Sequence, residues 1–213
     1  MAITIILLGC KAHDKPNVSG MQIKMAVKVN TVTTDTTKDK QEIQKLIRNI
    51  LAWAEDKKST PVLLPYLINE KDSLVTGFDL ARLKGIDDSL KITGFFSKEF
   101  IDTYNHIIQE LDKKMKNKQI APFSAGEIPP FAFDSDSDPW CDCQDVPYDS
   151  PNAYSFVDVH IIRLNNTKGK LYWTWGNLPA YVSPDWKDGK YNFNVQKEDG
   201  KWKVSYLQGF DIY

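Results

Sequence analysis

The chain has 213 residues, 42% apolar and 12% aromatic, with 27 basic and 28 acidic side chains and a formal charge of -1. That length and apolar content suit one substantial core and exclude wholesale disorder, while an acidic face or loop against a mildly basic body argues against a simple nucleic-acid binder. The balance hides an asymmetry: eight of the 28 acids lie between Lys118 and Arg163, a span without Lys or Arg, which leaves 20 acids against 27 bases elsewhere.

The first ten residues, MAITIILLGC, carry an apolar run from Ala2 to Leu8 of the length of a short signal-peptide hydrophobic region. Leu7-Leu8-Gly9-Cys10 resembles a lipobox, the cleavage and lipidation site of bacterial lipoproteins. The resemblance implies that Cys10 carries lipid, and that the mature protein lies outside the cytoplasm, anchored to a membrane of the cell envelope. No basic residue precedes the apolar run, and the alternative assignment is a first core strand. No later run approaches the roughly 18 apolar residues that a membrane-spanning helix needs.

Residues 11–20, KAHDKPNVSG, are polar and contain Pro16 and Gly20, as a flexible tether would. His13 there is read as solvated. Alternation from Met21 to Val32 suggests an edge strand. The expected organisation is thus a signal-like segment over 1–10, a tether or edge strand over 11–35 and one α+β domain over 36–213.

Asp39 and Glu42 have capping-box spacing, and Ile43, Leu46, Ile47, Ile50, Leu51 and Ala54 recur as one apolar stripe, with Trp53 bordering it and packing. Pro61 and Pro65 predict a loop over Thr60–Glu70. Asp79 to Gly85 suggests a short helical turn. A second long helix is predicted from Ser97 as N-cap, with Phe100, Ile101, Tyr104, Ile107, Ile108, Leu111 and Met115 on one side and lysines at its end, leaving His106 on the surface.

From Ala121 to Pro151 six prolines preclude a long regular element. Inside this loop lies FAFDSDSDPWCDCQDVPYD, from Phe131 to Asp149, which gathers the acids around Trp140, Cys141 and Cys143. Beyond it the period becomes two. Val157, Val159 and Ile161 are assigned to one face, with Phe156, Asp158, His160 and Ile162 on the other. Leu171, Trp173 and Trp175 form the next strand, and Tyr191, Phe193 and Val195 the third. Glu198-Asp199-Gly200 predicts a hairpin turn into Trp202, Val204 and Tyr206. Four successive antiparallel strands with one buried, aromatic-rich face are expected.

Two helices followed by a sheet that ends in Asp199-Gly200-Lys201-Trp202-Lys203-Val204 resemble the cystatin-like, nuclear-transport-factor-like α+β roll. Asp138-Pro139-Trp140 and Gln144-Asp145 before the sheet, with Trp202 on the last strand, resemble a family of uncharacterised bacterial envelope proteins of that fold, many of them lipoproteins. The resemblance spans Thr36 to Tyr206 and implies a fold and an address, with no reaction to carry over.

Four chemistries are compatible with these residues. Asp134, Asp136, Asp138, Asp142 and Asp145 have the oxygen-rich spacing of a calcium loop, but Pro139 stands where an EF-hand requires glycine; a solvated acidic loop is the alternative. Cys141 and Cys143 are too few for zinc, and form either a local disulfide or two free thiols. Asp158 and His160 share a strand face at a spacing suited to an acid-base pair, though the core-facing valines turn them outward. Aromatic residues of the sheet line either a pocket or the core, with Tyr172, Tyr181 and Trp186 assigned to exposed contacts. The favoured function is a non-enzymatic envelope lipoprotein that binds a basic protein partner or a cation through its acidic loop, Trp140 anchoring that loop. An immunity-type role is one concrete version. The alternative is a small-molecule-binding protein or an isomerase- or dehydratase-like enzyme using the interior of the roll.

Overall fold

Periodicity of 3.6 and of 2 divides the chain as the apolar pattern predicts. The computed structural model describes residues 36–55, 64–125, 138–143, 146–147 and 153–211, all within the unit Thr34–Tyr213. The lipobox-like segment with Cys10, the expected tether and edge strand, and Asp134, Asp136, Asp145 and Asp149 lie outside the described residues.

Helix α1 (Thr36–Glu55) buries Ile43, Leu46, Ile47, Ile50, Leu51 and Ala54. Its start corrects the expected cap. The helix begins at Thr36, and Asp39 sits inside it with its side chain buried, because long-range partners claim the carboxylate.

A three-stranded antiparallel sheet follows, ordered β1 (Tyr66–Asn69), β2 (Leu74–Phe78) and β3 (Phe123–Ser124). Strand β1 overturns the loop predicted for Thr60–Glu70. Pro65 stands just ahead of the strand, where a missing N–H costs no ladder bond. Ring contacts then hold Tyr66 against Phe78 and Phe123, at 5.6 Å each.

The short turn expected at Asp79–Gly85 extends further: a 3-10 turn (Leu80–Arg82) runs into α2 (Leu83–Thr93), which buries Leu83, Ile86 and Leu90. Gly85 is tolerated inside α2, where tertiary burial of that stripe outweighs its poor helix propensity. Gly94 ends the helix in the left-handed conformation at φ 70°. Helix α3 (Lys98–Lys116) begins at the predicted cap, with the Ser97 hydroxyl accepting from Phe100 N–H at 3.2 Å.

The second sheet is the expected antiparallel meander, ordered β4 (Val157–Leu164), β5 (Lys168–Trp175), β6 (Tyr191–Glu198) and β7 (Lys201–Leu207). Asp199 and Gly200 close the β6–β7 hairpin, both with positive φ, as a two-residue turn of this hand requires. A five-residue helix, α4 (Pro184–Asp188), lies between β5 and β6. Leu171, Trp173, Phe193, Val195 and Val204 are at most 2% exposed, so one face of the sheet is core. The class is α+β, with α1 packed on the four-stranded sheet and α3 contacting both β7 and β2.

Two bulges interrupt the alternation, and the one on β7 corrects the face assigned to Tyr206. On β4, Ile161 pairs with Leu171 but Arg163 with Lys170, so Ile162 is extra and both isoleucines are exposed. On β7, Val204 pairs with Val195 but Tyr206 with Asn194; Ser205 is the extra residue, Leu207 turns inward and Tyr206 does not. Trp186, expected to be exposed, packs edge-on to Trp175 at 6.0 Å, while Tyr181 is 81% exposed.

Each edge strand of this sheet has backbone partners from outside it at one or two positions. Along β4, Arg48 of α1 donates to Val157 O at 2.9 Å and Gln44 accepts from Val159 N–H at 3.3 Å. Along β7, Val204 donates to Phe95 O and accepts from Ser97 N–H at 2.8 and 2.9 Å, so the α2–α3 connection acts as a short parallel strand.

Candidate functional site

Residues 138–143 form a closed clamp at the centre of the acidic stretch. Pro139 and the positive φ of Asp142, 50°, favour a tight reversal. Asp138 N–H donates to Cys143 O at 3.0 Å, and the Asp138 carboxylate accepts from Trp140 N–H at 2.8 Å. Cys141 and Cys143 are joined by a disulfide and both are buried.

Three contacts fasten the clamp to the body. Trp140, 5% exposed, meets Trp53 of α1, Phe96 before α3 and Phe210 after β7, with ring centroids 5.1, 5.5 and 4.6 Å away. Gln208 donates to the Asp142 carboxylate at 2.9 Å, while its oxygen accepts from the backbone and side chain of Asn192 on β6. Gly209 lies so close to Pro139 that a Cβ there would stand 2.1 Å from Pro139 O and 2.7 Å from its Cα. Backbone on both sides leaves no flexible atom to move aside. Gly209→Ala is therefore expected to cost about 1–3 kcal/mol by overpacking, read as a lower urea midpoint at unchanged m-value; a midpoint equal to wild type would refute the contact.

Sequence reasoning missed the neighbours of Asp138. Tyr154, just before β4, donates from its hydroxyl to Glu55 at the end of α1, at 3.1 Å. Burial holds the Asp138 carboxyl above the ordinary aspartate range; the Trp140 N–H opposes this and the charge of Glu55 adds to it. Burial and then the charge of Glu55 likewise raise the Tyr154 phenol. No local spacing could have revealed this grouping, because Glu55 and Tyr154 are 99 residues apart.

The other predicted residues lie elsewhere. Asp158 is exposed and pairs with Arg48 at 3.7 Å. His160 stacks on Tyr172, centroids 4.8 Å apart, and its Nε2 is 3.1 Å from the Thr174 hydroxyl. Lys190 lies over the Tyr172 ring. Of the proposed calcium ligands, Asp138 and Asp142 each spend a carboxylate oxygen on the bonds above, and among the described residues no group of three or more His, Cys, Asp or Glu is placed to hold a metal ion.

A pocket of about 180 Å³ opens between the first turns of α3 and the bulge of β7. Phe100, Tyr104 and Phe210 supply its rings, and Thr103, Asn194 and Ser205 its neutral polar groups, with Glu99 also lining it. Its volume is below the roughly 300–1,000 Å³ common for drug-sized ligands. Among the described residues no helix is long and apolar enough to cross a membrane. No protein-family model, curated protein or solved structure matches the chain.

Proposed function

We propose that the chain is a non-enzymatic, lipid-anchored protein of the bacterial cell envelope, built on a cystatin-like roll, that binds a basic protein partner through its acidic crossing segment. The observation that carries this reading is the clamp at 138–143. Disulfide, buried Trp140 and the Gln208 bridge hold the middle of the acidic stretch at a defined place on the body, so little ordering is left to oppose association. A disulfide persists in an oxidising compartment, which agrees with export through the Cys10 signal. The helices followed by a four-stranded meander support the roll. Neutralising a delivered toxin in the periplasm is the concrete immunity-type version.

The test pairs address with binding. Expressed in a bacterial host, the full chain incorporates radiolabelled palmitate and Cys10→Ala does not. A fluorescent octalysine peptide binds the wild type with salt-sensitive affinity, and the triple change Asp134→Asn, Asp136→Asn, Asp145→Asn, which spares the clamp, weakens it about tenfold. Absence of label overturns the anchor; equal affinity for both chains overturns the acidic binding surface.

A further inference from the structure

We propose that the pocket between α3 and the β7 bulge is a binding site for a small organic cation, a primary ammonium on a short aliphatic stem. It lies apart from the clamp and does not depend on the role proposed for the acidic segment.

Charge selects the class of ligand. Glu99 is the charged residue of the lining, and no ion pair engages it among the described residues. Its neighbour Lys98 is turned to Asp102 instead. A second carboxylate, Asp211, accepts from the hydroxyl of the lining residue Tyr206 at 2.6 Å. An anion would meet the Glu99 carboxylate. It would also find the end of α3 already engaged, since Phe100 N–H donates to Ser97 and Lys98 N–H to Glu198.

Shape and polarity select the rest. Phe100 and Phe210 meet edge to face at 5.2 Å, and Tyr104 and Phe210 lie 6.0 Å apart, so rings flank the cavity. These rings, each at most 4% exposed, floor the cavity and pack a short apolar stem. Thr103, Asn194 and Ser205 offer oxygens to the three N–H donors of an ammonium. The bulge contributes directly, because the extra residue it creates, Ser205, is part of the lining. The cavity volume limits the ligand to a handful of heavy atoms.

The full chain, uniformly labelled with nitrogen-15, is titrated with n-butylammonium chloride, n-butanol and sodium butyrate while backbone amide shifts are followed. The ammonium is expected to give saturable shifts at Thr103, Ser205 and Tyr206, with affinity about threefold above the alcohol and no saturation by butyrate. Glu99→Gln, a change at an exposed position, brings the ammonium down toward the alcohol. Equal affinity for ammonium and alcohol, saturation confined to other residues, no saturation by any probe, or an unchanged ammonium affinity in Glu99→Gln would each overturn the site.

Discussion

Trp140→Ala is expected to lower the unfolding free energy by about 4 kcal/mol, a large part of the roughly 5–15 kcal/mol available to a domain. The indole is 5% exposed and touches Trp53, Phe96, Phe100 and Phe210, which belong to α1, the α2–α3 connection, α3 and the turn after β7. Deleting it removes the apolar burial, leaves a cavity that four separate elements would have to collapse to fill, and forfeits edge-to-face contacts worth about 0.5–1.5 kcal/mol each. Trp140→Phe keeps a ring in the site and is expected to lose far less. Urea unfolding followed by far-ultraviolet circular dichroism decides: a loss below about 1 kcal/mol in the alanine variant would mean that Trp140 does not anchor the segment to the core.

The second large effect is at Asp39. Its buried carboxylate accepts from the indole N–H of Trp202 at 2.8 Å and from Lys197 at 2.9 Å, and Lys197 also lies over the Trp202 ring, 4.6 Å from its centroid. Lys197 and Trp202 are opposite residues of the β6–β7 ladder, so α1 is fastened to the far hairpin. Asp39→Ala strands an indole donor and a half-buried ammonium, an expected loss of about 3 kcal/mol.

The pH dependence follows from the sign of the shift. Burial alone would raise the Asp39 pKa, but the hydrogen bonds from Trp202 and Lys197 and the charge of Lys197 outweigh it, and the net shift is downward. The stabilisation is therefore complete above the ordinary aspartate value near 3.9 and is lost as pH falls through the lower folded value. Glu198 acts in the same direction: burial is outweighed by donation from Gln196, Lys98 N–H and Lys203. Asp138 acts in the opposite sense; its raised pKa costs stability at neutral pH, and protonation relieves that cost as the pH drops. Asp39→Asn should thus flatten the acid limb of the stability profile below about pH 4, and a limb of unchanged steepness would show that the carboxylate is not engaged.

Several elements were legible because their physics is local. The stripe Ile43 to Ala54 and that from Phe100 to Met115 repeat at helical spacing over several turns, and both faces are buried as the period requires. Asp199-Gly200 carries its own conformational instruction, two consecutive positive φ values, and the hairpin forms there. Trp173, Phe193 and Val204 alternate with polar residues and share one buried face. The failures share a cause as well. Alternation cannot register an inserted residue, so the period places Tyr206 on the wrong face, beyond a bulge that only pairing with β6 defines. Tyr66 to Asn69 was too short a run to outweigh two nearby prolines until β2 supplied a partner.

The sites divide in the same way. Charge concentration around Trp140, Cys141 and Cys143 is visible in the chain, because acids, prolines and cysteines cluster within a few positions. Whether Asp39 caps a helix or joins it to a sheet is not, since Trp202 lies 163 residues away. The 180 Å³ pocket is likewise invisible in one dimension: Glu99 and Phe100 come from one helix, Asn194 and Ser205 from two strands, and the bulge that brings Ser205 into the lining exists only once β7 has paired. Composition, period and turn chemistry thus determined by themselves the two long helices, the meander and the acidic charge of the crossing segment. Tertiary structure alone decided the partners of its buried carboxylates and the walls of its pocket, because those depend on contacts between residues that no local pattern brings together.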